Sequence, residues 1–229
     1  MVEPLSISSL PQYLENIEER CTGIHDVLFR GHRQAEWRLE PKVNRLRLRA
    51  DVRLVDAERQ VLDDFKRQAI PHLGPETRSE WDWLALAQHH GLPTRLLDWT
   101  TNPLVALWFA VERPPEQNSD AAVWMFFGKP ADYADERTTT DPFSLKRTLI
   151  FRPRHLTSRI IAQSGWFTVH SFVPSRPGFI PLEKNTRQKP RLQKFIVLST
   201  TFLCSAKTWL VAECALLRYS PISKVFVVI

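Results

Sequence analysis

An α/β domain of the α+β kind, with one mixed sheet and its helices mainly in the N-terminal half, is the fold this sequence predicts. Three observations carry that prediction. Amphipathic helical periods alternate with short strand-like runs up to about residue 127. Proline, glycine and capping residues punctuate those runs at their ends. Hydrophobic residues make up 43% of the 229-residue chain, with eight Trp, which is enough apolar surface for one substantial core.

The elements follow in order. Residues 1–20 read as an amphipathic N-terminal helix, with Pro11 near its start and Leu14 and Ile17 on one face. Asp26 to Arg30 (DVLFR) reads as a short strand stopped by Gly31. Trp37 to Pro41 is extended, because a residue before proline is pushed out of the helical region. Asp56 to Ala69 is a helix with Ala57, Val61, Leu62, Phe65 and Ala69 on its apolar face and Pro71 beyond its end. Ser79 to His90 is a second, capped by Ser79 and stopped by Gly91 and Pro93.

Thr94 to Trp99 is a strand or an extended approach, and Asn102 with Pro103 opens a buried helix, Leu104 to Glu112. Ala121 to Phe127 is a strand apolar on both faces. Beyond it lie a loop-rich stretch, Asp132 to Arg154, and a strand around Trp166–His170. An exposed basic connection follows, Arg176 to Lys194, and then strands at Lys194–Thr200 and Lys224–Ile229.

The chain carries a formal net charge of +6, which favours nucleotides, nucleic acid or other phosphate-bearing partners. Cys21, Cys204 and Cys214 form no CxxC pair, so neither a disulfide framework nor a zinc site is expected, and no metal is predicted. The polar N-terminus lacks a signal-peptide core, and Lys207 and Glu213 interrupt the apolar stretch Phe195 to Leu217. The expectation is a cytoplasmic protein with no membrane span; its oligomeric state is left open. Walker A, GxGxxG, HExxH and GxSxG motifs are absent, which removes the commonest kinase, dehydrogenase, zinc-protease and serine-hydrolase sites.

Two segments concentrate groups able to do chemistry. Arg30 at a strand end suits bidentate binding of phosphate, and Gly31 beside it lets a ligand approach the backbone. The run from Gln88 to Pro103 holds His89 and His90 at a helix C-terminus, then Arg95, Asp98, Thr100, Thr101 and Asn102. Adjacent histidines do not share a helix face, so one metal between them is not expected. Arg95 and Asp98 are read as a buried pair fixing the loop. Thr100, Thr101 and Asn102 precede a helix N-terminus, where free N–H groups attract anions. Each of these groups has a structural reading beside the functional one: an ion pair for Arg30, and a capping turn for the threonines and Asn102. Gln163 and His170 are further polar candidates.

Phe29-Arg30-Gly31, Trp37-x-Leu39-x-Pro41, the run QHHGLPTRLLDWTTNPLVALWFA (residues 88–110) and Ala162-Gln163-x-Gly165-x-Phe167 together resemble the FRG domain family over roughly residues 20–200. The resemblance implies a mostly bacterial domain, sometimes associated with phage defence. It divides the chain into the N-terminal helix at 1–20, an FRG-like domain at 21–200 and a divergent or truncated segment at 201–229. A more distant likeness to ADP-ribosyltransferases implies a fold of that type and NAD as cofactor. On that likeness Arg30 clamps the phosphates, assisted by Gly31 and Arg95. Thr100, Thr101 and Asn102 contact the ribose, and His89, His90 and Asp98 are catalytic candidates. The late glutamate of that chemistry has no counterpart in context, since only Glu183 and Glu213 are available. Three functions therefore stay open: an NAD-handling transferase or glycohydrolase, a nucleotide- or nucleic-acid-binding module, and an inactive member of the family.

Overall fold

The computed structural model describes residues 3–24, 26–73, 78–113, 119–153, 165–175 and 178–198. Among them, four α-helices precede most of a seven-stranded mixed sheet. The strands are β1 (Leu5–Ile7), β2 (Val27–His32), β3 (Leu96–Thr100), β4 (Ala121–Phe127), β5 (Leu149–Phe151), β6 (Gly165–Val169) and β7 (Leu192–Val197). Their spatial order is β1-β7-β4-β2-β3-β6-β5, with β1 and β7 parallel and every other pair antiparallel.

The helices are α1 (Leu10–Cys21), α2 (Leu54–Ala69), α3 (Glu80–His89) and α4 (Pro103–Val111). Their ends follow local chemistry. Ser9 accepts from the Gln12 N–H at the start of α1, and Ser79 and Asp82 form a reciprocal capping box on α3. Gly91, at φ +81°, turns the chain out of α3 in a conformation that suits a residue without a Cβ. The helix expected over residues 1–20 gives way to a strand and then a helix. Ser9 and the following proline fix where α1 can begin, which leaves Leu5–Ile7 extended against β7 with Ile7 fully buried.

Side-chain alternation along the strands builds two layers. On one face α1 and α4 pack on Phe29, Val123, Met125 and Phe195. Farther along the same face, Trp81, Leu84 and Ala85 of α3 and Leu62 of α2 pack on Leu96, Phe151, Phe167 and Val169. The opposite face holds Leu28, Leu97, Trp99, Trp124 and Phe126, covered by Leu39 and Leu182 from connecting segments. The connection expected to be simply exposed is therefore half structural: Phe179 and Leu182 are buried, although Lys184, Arg187 and Lys189 are not. Gln163, Cys204, Cys214, Glu213 and residues 201–229, with their expected strand at Lys224–Ile229, lie outside the described residues. Among the described residues, no helix is long and apolar enough to cross a membrane.

Candidate functional site

Strand β2 does not stop at Gly31, as the sequence reading expects; it runs on to His32, with Gly31 opposite Val123 of β4. The glycine is required by a helix rather than by a ligand. A Cβ at this position would lie 1.9 Å from the Ala106 carbonyl oxygen and 2.7 Å from the Ala110 nitrogen, both backbone atoms of α4. Gly31 thus lets α4 sit directly on the sheet, where a Cβ would be, and the glycine also borders the cleft beside Arg30.

On its other side β2 meets β3 at a single paired position, Phe29 opposite Thr100. Continued pairing would set Gly31 against Asp98, but there the strands part. The guanidinium of Arg30 bridges the gap: its Nη1 donates to the Asp98 carbonyl at 2.7 Å and lies 3.5 Å from Asp98 Oδ2. A cleft of about 380 Å³ opens over this parting, between the end of α3 and the body of α4. Arg30, Gln88, His89, Asp98, Thr100 and Glu112 are among its polar lining residues. By strand alternation Arg30 leaves the backbone on the opposite face from Thr100, yet the split lets both line one cavity.

A chain of hydrogen bonds fixes the polar groups. Thr94 Oγ1 donates to Gln88 Oε1 at 2.6 Å, which turns the Gln88 amide so that Nε2 donates to both Asp98 oxygens, at 3.1 and 3.0 Å. Asp98 holds one edge of Arg30, and Arg30 Nε donates to His32 Nε2 at 3.1 Å. His32 is 3% exposed; burial, reinforced by the charge of Arg30, holds its pKa well below the usual value. It is therefore a neutral acceptor that orients the arginine. Burial likewise lowers the Arg30 pKa, offset in part by Asp98, but a guanidinium keeps its proton throughout the physiological range.

Burial also pushes His170 down to about 4, with Arg95 and Arg30 contributing in the same direction. In the unfolded chain a histidine titrates near 6.5, so the unfolded state takes up the proton first as the pH falls. The stabilisation is complete above about pH 6.5 and is lost toward pH 4, by up to about 3 kcal/mol. Denaturant melts across that window should show this slope, and His170→Gln should flatten it. A slope unchanged by the substitution would assign the effect elsewhere.

The remaining predicted site residues divide. Arg95 is fully buried and outside the cleft. It pairs with Glu58, not with Asp98: Arg95 Nη2 lies 2.7 Å from Glu58 Oε2, and the Arg95 backbone N–H donates to Glu58 Oε1 at 2.7 Å. Residues three apart in an extended chain project to opposite sides, which is why Arg95 and Asp98 cannot meet. Burial raises the Glu58 pKa more than Arg95 lowers it. His90 is exposed and packs on Phe65, with ring centroids 5.7 Å apart, while His89 lines the cleft.

Thr100 Oγ1 accepts from the Asn102 N–H at 3.1 Å. Asn102 Oδ1 accepts from the Leu104 and Val105 N–H groups, so the anion site expected at the start of α4 is already occupied by its cap. Thr101 and Asn102 are exposed and do not line the cleft. Glu112, Arg33, Trp37 and Phe109 do line it and were not singled out as site residues. The Trp37-x-Leu39-x-Pro41 pattern was the available signal for Trp37; for Glu112 at the end of a buried helix there was none. Glu183 is committed elsewhere, its Oε2 accepting from the Leu39 N–H at 3.1 Å. Among the described residues, no three His, Cys, Asp or Glu side chains converge as a metal site.

The FRG domain family matches residues 25–119, from the start of β2 to the segment before β4. Over that stretch the chain is similar to the FRG domain. The matched stretch supplies Arg30, Gln88, His89, Asp98, Thr100 and Glu112, so most of the polar wall of the cleft lies within the match. Gly165 and Phe167 of β6 close the cleft from beyond the match. No curated protein and no solved structure matches the chain.

Proposed function

We propose that the FRG cleft binds a nucleotide, with NAD as the ligand and cleavage of its nicotinamide–ribose bond as the reaction. One observation carries the reading: Arg30 is held on two sides, by His32 and Asp98, while its Nη2 has no partner among the described residues. An oriented, largely buried guanidinium with free N–H groups at a cavity wall suits a phosphate. The aromatic lining of Trp37 and Phe109 suits a planar base or nicotinamide ring.

In this reading Arg30 clamps the diphosphate and Thr100 lies toward a ribose. Asp98, oriented by Gln88, faces the positive charge that develops at the ribose carbon as nicotinamide departs with the bonding pair. Water or an acceptor nucleophile then takes the vacant position. His89 is a wall residue beside the leaving group. His90, Arg95, Thr101 and Asn102 have no part in it. The setting implied by the family likeness is bacterial and linked to phage defence.

A second reading is favoured by Glu183, whose carboxylate is spent on the Leu39 N–H and cannot serve as a late catalytic glutamate in the cleft. The domain then binds the nucleotide without turning it over. Nicotinamide release from NAD by the purified protein separates the two. Release that is lost in Asp98→Asn supports the enzyme; binding without release supports the module.

Arg30→Lys tests the clamp that both readings share. The substitution keeps the charge but loses the planar fork, so affinity for NAD should fall about tenfold to a hundredfold, the value of roughly 1.5–3 kcal/mol for one charge-assisted hydrogen bond. The melting curve should stay close to that of the parent. Undiminished affinity by calorimetry would remove Arg30 from the role, and an unfolded variant would make it structural.

A further inference from the structure

A second, larger concavity lies outside the cleft and is used by neither reading above. It is an open groove of about 1280 Å³, bordered by the segments after β2 and before β5 and by the connection between β6 and β7. Five cationic side chains line it, Arg38, Lys146, Arg147, Lys184 and Arg187, against a single carboxylate, Glu40. All five cations are exposed. Glu40 is turned to Asn44, whose Nδ2 lies 3.3 Å from Glu40 Oε2. Arg38, Lys146, Lys184 and Arg187 make no ion pair among the described residues, and Arg147 donates to the Ala131 carbonyl at 2.5 Å. Elsewhere most exposed arginines of the early helices are matched: Arg53 with Asp56, Arg59 with Asp141 and Arg67 with Asp64. The groove is thus a local excess of positive charge.

Its walls are joined by hydrogen bonds. Asn44 Nδ2 donates to the Phe179 carbonyl and Asn44 Oδ1 accepts from the Phe179 N–H, both at 2.9 Å, which ties the two banks together. Gly178 sits where a Cβ would meet Asn44 Oδ1 at 3.0 Å, so a side chain there would press on this lock.

We propose that this groove binds single-stranded nucleic acid. The positive groups come from three separate chain segments instead of one focal cluster, as suits a polymer with a phosphate at every residue and not one phosphorylated side chain. A single strand is flexible enough to follow a concave groove and leaves its base faces free to meet the lining. Exposed guanidinium planes at Arg38, Arg147 and Arg187 can stack on unpaired bases, and Asn185 and Thr186 add polar groups for base edges and sugars.

The test is fluorescence anisotropy of a labelled oligothymidylate with the full chain. If all five cations neutralise phosphates, affinity should fall about a hundredfold between roughly 50 and 200 mM salt. The double substitution Arg38→Glu with Lys184→Glu should weaken binding at least tenfold while leaving the melting curve and NAD affinity unchanged. Arg38→Lys with Lys184→Arg should retain binding. The assignment is overturned if the oligonucleotide does not bind at low salt, or if the charge-reversed variant binds like the parent. It is equally overturned if heparin or anionic phosphatidylserine vesicles are bound as tightly as the oligonucleotide.

Discussion

Glu58→Ala should lower the unfolding free energy by about 3–5 kcal/mol, because it leaves the Arg95 guanidinium buried without its counter-charge. Glu58 and Arg95 are 1% and 0% exposed. Three Arg95 donors, Nε, Nη2 and the backbone N–H, make four hydrogen bonds to the Glu58 carboxylate. The pair joins α2 to the start of β3, and the guanidinium is flanked by Phe143 and Phe179, at 4.3 and 5.1 Å from their ring centroids. Water cannot replace what is lost there. Glu58→Gln, which keeps an acceptor but not the charge, should cost less. A denaturant melt of Glu58→Ala within about 1 kcal/mol of the parent would mean that the site opens to solvent and that the pair is not a fixed element of the core. NAD affinity should follow stability alone, since neither residue lines the cleft.

Gly31→Ala is expected to be comparably damaging, at about 3 kcal/mol or more, the upper end of what overpacking costs. The added methyl meets the backbone of α4, at Ala106 and Ala110, and not the mobile end of a side chain. Relief requires α4 to lift from the sheet. That movement would loosen Phe29, Ala106 and Ala110 from their shared core and shift Val105, Ala106 and Phe109 in the cleft wall. Stability and nucleotide affinity should therefore fall together, whereas Glu58→Ala moves stability and Arg30→Lys moves affinity. A Gly31→Ala protein with the melting point of its parent would show that α4 stands farther from β2 than described.

Much of the fold was legible because it is set locally. Ser79, Asp82 and Gly91 bound α3 through hydrogen bonds and a turn that need only neighbouring residues. Asn102 and Pro103 begin α4 in the same way. The apolar run at β4 marks a strand buried on both faces, and Arg30, His89 and Asp98 stand together in the cleft as their motifs suggested. The short strands β1 and β5, each three residues long, were missed because so brief a run has no period to read; they exist only by pairing with β7 and β6.

By itself, then, the sequence determined the α+β class, the limits of the central helices, and the FRG stretch that brings Arg30 near the segment after α3. Which charges pair was decided only by the tertiary structure. Nothing beside Glu58 in the sequence names its partner, and Arg95 arrives to pair with it from 37 positions away. Arg95 and Asp98, close in sequence, part because an extended strand sends residues three apart to opposite sides. Gly31 likewise reads as an opening until α4 is seen lying on it. A local rule fixes where an element begins and ends; the partner of a buried charge, or the atom that fills the space beside a glycine, comes from chain remote in sequence.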